Sequence, residues 1–259
     1  RPVATIEVVL VSIDPKPRAP RPVWLRAPAP VGENYHNLKK LVQKLDLHTV
    51  CESAACPNIG DCWNRRTATF MILGNVCTRR CGFCAVQKGG PLPVDYDEPR
   101  RVAEACAALG LKFAVITSVN RDDRKDGGAE LFALTIKAIR ARLPECGIEV
   151  LTPDFQGSHA AMDLVLDASP DVLNHNTETV PRLYRQVRLG ARYERSLDML
   201  AYVKRQRPEI PAKSGLMLGL GETLEEVHQV MRDLRQSNVD ILTLGQYLRP
   251  SLKHLPIIR

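Results

Sequence analysis

Six of the chain's eight cysteines fall between Cys51 and Cys84, in two triplets. The second triplet, Cys77-Thr-Arg-Arg-Cys81-Gly-Phe-Cys84, has the spacing C-x3-C-x2-C; the first, Cys51-Glu-Ser-Ala-Ala-Cys56-Pro-Asn-Ile-Gly-Asp-Cys62, has C-x4-C-x5-C. Three thiolates on one tight loop hold three irons of a cubane cluster. The fourth iron is left without a cysteine, and an open iron chelates a small molecule. Electron-transfer ferredoxins and structural zinc sites normally close their centres with four ligands, which neither triplet offers. A zinc knuckle would need a histidine, and none lies within twenty residues of the second triplet. His48 is near the first, where a lone histidine more often caps or hydrogen-bonds than ligates. Trp63, directly after Cys62, is expected to shield the first cluster from water. Arg65, Arg66, Arg79 and Arg80 flank the cysteines; the default reading is a solvated charged face, the alternative compensation of anionic clusters and docking of acidic partners. Cys106 falls on the apolar face of an expected helix and reads as core. Cys146 precedes Gly147 in a turn and has no assigned role.

The elements that must position these loops are short apolar runs alternating with helical periodicity. Strands are expected at 69–73, 113–117, 149–152, 172–174, 215–218 and 241–244. Helices are expected at 99–109, with Val102, Ala105, Cys106 and Leu109 inward, and at 129–143, with Leu131, Leu134, Ile136 and Ile139 inward. Two more are expected at 195–205 and at 223–236, where Thr223 and Glu226 form a capping pattern. About six alternations imply a parallel sheet with helices on its outer face. Six units fall short of a closed eight-fold barrel. The expected fold class is therefore α/β, a partial (β/α)6 TIM-like barrel with an N-terminal extension carrying the first triplet. Residues 1–66 form the arm and first-cluster region, and 67–259 the barrel. Sites in such folds lie at the carboxyl ends of the strands. Polar residues gather there: Thr117-Ser-Val-Asn120, Thr152-Pro-Asp154, Asn174-His-Asn176 and Gln246-Tyr247.

A chain of 259 residues buries enough surface to need no disulfide staples. Cysteines clustered in a chain of this size, with no secretory h-region, favour metal binding and a reducing compartment. Residues 1–30, rich in Pro and Arg, read as an extended arm over the body. No run of 18 apolar residues occurs, so no transmembrane helix is expected. The net charge of +7 (36 Lys and Arg against 29 Asp and Glu) is consistent with an acidic partner. Nucleic acid is not expected: the basic residues are scattered and only 5% of residues are aromatic.

The second triplet, with Phe83 before its last cysteine, resembles the radical S-adenosylmethionine superfamily. Both triplets together resemble the lipoyl synthase family. The likeness extends through Thr117-Ser-Val-Asn-Arg-Asp-Asp, Asp126-Gly-Gly-Ala129, Leu151-Thr-Pro-Asp-Phe155 and Asn174-His-Asn-Thr-Glu-Thr-Val-Pro-Arg-Leu-Tyr184. It continues in Lys213-Ser-Gly-Leu-Met-Leu-Gly-Leu-Gly-Glu222 and Gly245-Gln-Tyr-Leu248, and covers roughly residues 35 to 256.

The resemblance implies two 4Fe-4S clusters, with Cys77, Cys81 and Cys84 catalytic and Cys51, Cys56 and Cys62 holding an auxiliary cluster that is sacrificed as sulfur donor. The open iron of the radical cluster chelates S-adenosyl-L-methionine. Two radicals in turn remove hydrogen from C6 and C8 of an octanoyl group on a lysine of a carrier protein, and two sulfur atoms enter. Thr117, Asn174, Glu178 and Lys213 are the expected cofactor-binding residues. The Asp126-Gly-Gly128 run stands where related enzymes hold the methionine amino group with Gly-Gly-Glu, and Ala129 replaces that Glu. The family's serine ligand to the auxiliary cluster sits in an Arg-Ser-Ser motif that this sequence does not contain; Ser251, in Leu248-Arg-Pro-Ser251, is not assigned that role. Implied partners are an octanoylated glycine cleavage H protein or 2-oxoacid dehydrogenase E2 lipoyl domain and a ferredoxin- or flavodoxin-type electron donor. The expected state is a monomer in the cytoplasm, or alternatively in a mitochondrial or plastid matrix. Two other readings compete. A methylthiotransferase usually carries its extra cluster in a separate domain, and none is visible. An electron carrier or zinc module predicts closed four-ligand sites.

Overall fold

The computed structural model describes residues 29–54, 56 and 58–258. Most of the expected N-terminal arm therefore lies outside the described residues. Helix α1 (Glu33–Lys44) buries Leu38 and Val42, one turn apart on one face. Strand β1 (His48–Thr49) and the short helices α2 (Val50–Ser53) and α3 (Ile59–Asn64) follow. Then come β2 (Thr67–Ile72), the small strands β3 (Val76–Cys77) and β4 (Gln87–Lys88), and α4 (Glu98–Ala108). From there strand and helix alternate: β5 (Phe113–Ser118), α5 (Ala129–Arg142), β6 (Gly147–Leu151), α6 (His159–Asp167), β7 (Val172–Asn174), α7 (Tyr184–Val187), α8 (Tyr193–Gln206), β8 (Ala212–Leu218), α9 (Leu224–Gln236) and β9 (Ile241–Gln246).

The sheet order is β1-β2-β5-β6-β7-β8-β9. Strands β2 to β9 pair in parallel, and β1 runs antiparallel on the β2 edge. The first and last strands do not pair, so the barrel is open, as the six expected units implied. Register puts Met71, Thr117, Leu151, Asn174 and Lys213 opposite one another in one row. Successive side chains alternate, so this row shares one face of the sheet.

The outer face packs on α4, α5 and α6 around Ile116, Ile148, Phe132, Ile136 and Met162, all fully buried. A second core joins α7, α8, α9 and β8. Strand and helix positions agree with expectation to within a few residues. In α5 the expected inward Leu134 is exposed. Its buried stripe is Leu131, Phe132, Thr135, Ile136 and Ile139, which a 3.6-residue period selects and Leu134 misses. Helix α6 was not among the expected helices, although Ser158 caps it by accepting from the Ala161 N–H at 3.2 Å. The Thr223–Glu226 capping box opens α9 as expected.

Candidate active site

The radical-type triplet leaves the end of β2 through Leu73 and Gly74, at φ 68° and 83°. Leucine rarely adopts this left-handed geometry. Here the buried Glu98 carboxylate accepts the Leu73 N–H at 2.7 Å. Gly128 makes room for the side chain: a Cβ there would collide with Leu73 Cδ1. Asp126-Gly-Gly128 thus forms the turn into α5, with the Asp126 carboxylate accepting the Glu130 N–H at 3.1 Å. It does not line the cavity described below.

The cysteine loop is tied down on several sides. The Asn120 N–H donates to Cys77 Sγ at 3.3 Å, the Gly89 N–H to the Cys77 carbonyl at 3.0 Å and Lys88 Nζ to the Cys81 carbonyl at 3.1 Å. Arg79, between the first two cysteines, is buried rather than solvated, which overturns its default reading. Its guanidinium donates twice to Asp122, at 2.7 and 2.9 Å, and to Asp154 at 2.5 Å. Burial would raise the Asp154 carboxyl, but the Arg79 hydrogen bond and charge outweigh it and hold the group well below the usual carboxylate range. Arg65 pairs with Asp61; Arg65, Arg66 and Arg80 are exposed, as a solvated face predicts.

Cys77, Cys81 and Cys84 line one cavity of about 220 Å³ at the carboxyl ends of the strands. Burial pushes the Cys81 thiol up to about 11, opposed by the Arg188 charge and reinforced by Cys84 and Cys77. Burial also raises Cys84, opposed by the Val86 N–H. Such thiols are neutral until a metal ionises them. The cavity wall is apolar at Val50, Met71, Phe83, Val86, Val119 and Leu151 and polar at Thr117, Asn120, Asn176 and Glu178, with Arg188 its one cation among the described residues. Ser118 Oγ and Thr152 Oγ1, also in the wall, are buried without a hydrogen-bond partner among the described residues. Unpaired buried hydroxyls fit a ligand rich in polar atoms, as the ribose and methionine ends of S-adenosylmethionine are.

Of the expected cofactor-binding residues, Thr117 and Glu178 lie in this wall; Asn174 and Lys213 do not. Thr117 Oγ1 donates to the Leu151 carbonyl at 2.9 Å. Glu178 sits at φ 66°, held by hydrogen bonds to Gly215 and Met217 of β8, and Asn176 Nδ2 donates to its carboxylate at 3.1 Å. Burial raises this carboxyl against the Arg188 charge. A bulky residue held in the left-handed region is the kind of strain that collects at functional sites. Asn174 and Lys213 lie within β7 and β8, not beyond them, and both bond to the buried Glu149, at 2.9 Å and at 2.9 and 3.0 Å. Lys213 is thus paired with a carboxylate of the protein itself, while Asn174 Oδ1 is buried with no hydrogen-bond partner among the described residues.

The first triplet spans α2, the following loop and α3. The Cys56 N–H donates to the Cys51 carbonyl at 3.0 Å, which folds the loop back on itself. Burial raises Cys51 and Cys62, and neighbouring thiols of the triplet raise each further. Trp63 is 1% exposed and packs on Tyr35 at 5.2 Å between ring centroids. Its indole N–H has no acceptor among the described residues, yet it lies beside Cys51 and favours that thiolate. An orphaned buried donor beside a thiol of the triplet fits a sulfur-rich cluster. No three Cys, His or acidic side chains among the described residues converge on one ion. A cubane does not require it, because each thiolate binds its own iron at a separate corner. His48 lies in β1 opposite Met71.

Comparison with known proteins places these features. A model of the radical SAM superfamily matches residues 71–234, and one of the N-terminal domain of lipoyl synthase matches residues 10–56. The chain is 63% identical to lipoyl synthase of Koribacter versatilis, over 98% of this chain and 83% of that protein. It is 60% identical to lipoyl synthase of Rubrobacter xylanophilus, over 92% and 74%, and 55% identical to a mitochondrial lipoyl synthase of Nematostella vectensis, over 93% and 82%. Among solved structures, methylornithine synthase superposes with a TM-score of 0.56 at 14% identity, over 82% of this chain and 64% of that one. Coproporphyrinogen III oxidase of Escherichia coli gives 0.51 at 14%, over 84% and 48%; at such identity these two speak to the fold alone. Two open-ended cysteine triplets on a partial barrel, and identity of this extent along nearly the whole chain, lead to one conclusion: the chain belongs to the lipoyl synthase family of radical S-adenosylmethionine enzymes.

Proposed function

We propose that Cys77, Cys81 and Cys84 hold the radical-generating 4Fe-4S cluster, and Cys51, Cys56 and Cys62 the auxiliary one, in an enzyme that inserts two sulfur atoms at C6 and C8 of a protein-bound octanoyl-lysyl group. When bound, the clusters and S-adenosylmethionine supply a hydrogen-abstracting radical and the sulfur. The protein supplies placement and exclusion of water. One juxtaposition supports the division of labour: Val50, the neighbour of Cys51, lines the same cavity as Cys77, Cys81 and Cys84. The sulfur source and the radical source then face a single substrate chain. The apolar wall suits an octanoyl group, and Arg188 suits the cofactor's carboxylate, with Thr117, Asn176 and Glu178 available for its other polar groups.

Residues 1–66 serve in this reading as the auxiliary-cluster region and 67–259 as the radical barrel. The substrates are lipoyl-carrying proteins, namely glycine cleavage H protein or the E2 lipoyl domain of a 2-oxoacid dehydrogenase, and a ferredoxin- or flavodoxin-type protein donates electrons. The enzyme works as a cytoplasmic monomer; no helix of the described residues is long and apolar enough to cross a membrane. The test is an anaerobic reaction of reduced protein with S-adenosylmethionine and an octanoyl-lysyl peptide. Mass spectrometry should find a doubly thiolated peptide together with 5′-deoxyadenosine. Formation of 5′-deoxyadenosine with no sulfur in the peptide would sink the substrate assignment and leave the radical half standing.

A further inference from the structure

The segment after β9 forms neither helix nor strand from Tyr247 to Pro256, yet it is closely fastened. Tyr247 is buried; its N–H donates to the Leu218 carbonyl at 2.8 Å, and its hydroxyl to the Leu255 carbonyl at 2.9 Å. Arg249 closes the turn from inside, donating to the carbonyls of His254 at 2.9 Å and Leu252 at 2.5 Å. The strap so formed meets the radical-type cysteine loop at two points about 170 residues away in sequence. The Leu255 N–H donates to the Gly82 carbonyl at 3.2 Å. Its side chain covers Gly82 so closely that a Cβ there would lie 2.9 Å from it. His254 Nε2 lies 3.2 Å from the Cys84 carbonyl oxygen, and Nδ1 lies 2.9 Å from Ser251 Oγ. A carbonyl only accepts, so Nε2 carries the proton and Nδ1 accepts from the Ser251 hydroxyl. Ser251 in turn accepts the Lys253 N–H at 3.3 Å.

We propose that this strap is a latch on the radical cluster. Ser251 sets the His254 tautomer, His254 holds the Cys84 carbonyl, and Leu255 seats Gly82, so that the last thiolate of the loop is kept in ligating position. Ser251 and His254 are positioning residues that act through Cys84. The inference rests on the reading that Cys77, Cys81 and Cys84 hold a cluster. Polar partners just outside a metal's ligands typically contribute about 10- to 100-fold in metal affinity.

The experiment uses the full chain with Cys51, Cys56 and Cys62 replaced by alanine, so that only the radical cluster loads. After anaerobic reconstitution, iron per chain and the rate at which a ferrous chelator strips it are measured. The parent should hold about four irons. His254→Ala should lose them at least about tenfold faster. His254→Gln, which keeps an N–H at the end of the side chain, should restore most of the retention. Ser251→Ala, which frees the tautomer, should fall between the two. Leu252→Ala, at the exposed tip of the strap, should match the parent. Equal stripping rates for His254→Ala and the parent would overturn the latch, as would a Gln variant no better than Ala. A parent that takes up no iron would overturn the ligand assignment beneath it. If His254→Ala folds poorly, the Gln and Ser251→Ala variants read the same contact.

Discussion

Arg188 shows what a single residue contributes to the cavity. It is the one cation in the wall among the described residues, and it is held from behind by the Ser196 and Tyr184 hydroxyls at 3.0 and 3.3 Å. A positioned guanidinium facing a carboxylate contributes about 1.5 to 3 kcal/mol. Arg188→Ala should therefore weaken S-adenosylmethionine binding by at least about tenfold in equilibrium dialysis of cluster-loaded protein; unchanged affinity would remove Arg188 from the cofactor site. Beside it, His175 is wholly buried between the Thr152 carbonyl at 2.9 Å and Ser196 Oγ at 3.0 Å. Burial, and then the Arg188 charge, pull its pKa down from 6.5 to about 3. The unfolded chain thus binds a proton that the folded chain refuses between about pH 6.5 and 3, so stability is full above 6.5 and falls through that window. In urea denaturation of cluster-free protein, the stability gap between the parent and His175→Gln should narrow by about 2 kcal/mol from pH 7 to pH 5. Parallel pH profiles would show that His175 is not held neutral.

Among the elements, the cysteine loop depends on contacts that no local propensity supplies. Arg79 ties it to the loop after β5 through Asp122 and to the end of β6 through Asp154, which also accepts from Arg195 at 3.2 Å. Removing one member of a buried ion pair leaves the other uncompensated, at a cost of about 3 to 5 kcal/mol. Asp154→Asn should lower the unfolding free energy of the cluster-free chain by about 3 kcal/mol. Arg100→Ala, whose ion pairs are exposed, should change it by less than about 1 kcal/mol in the same chemical denaturation. Equal effects would mean that the Arg79 network contributes no more than a surface pair.

At the scale of the whole molecule, the two cysteine-triplet regions are joined through one sheet. Strand β1, next to the first triplet, pairs with β2, which leads into the second. The chain with both triplets should carry about eight irons after anaerobic reconstitution, and about four when either triplet is replaced by alanine. A stoichiometry of one cluster per chain, or zinc in place of iron, would contradict the assignment of both triplets.

Much of this was legible in the sequence because it is local. Cluster spacing, strand and helix alternation, the α9 capping box and the core position of Cys106 each depend on residues a few positions apart, where thiolate geometry and helical or strand period act directly. The role of Arg79 was not legible, because its acids lie 43 and 75 residues away. Nor was the separation of Thr117 and Glu178 from Asn174 and Lys213, which depends on Glu149 of β6 engaging Asn174 on the adjacent strand and Lys213 on the strand beyond it. The cavity itself exists only once the parallel sheet curls and brings Val50, the radical-type triplet and Arg188 to one end. Register and curvature are long-range properties of paired strands, and no short motif encodes them.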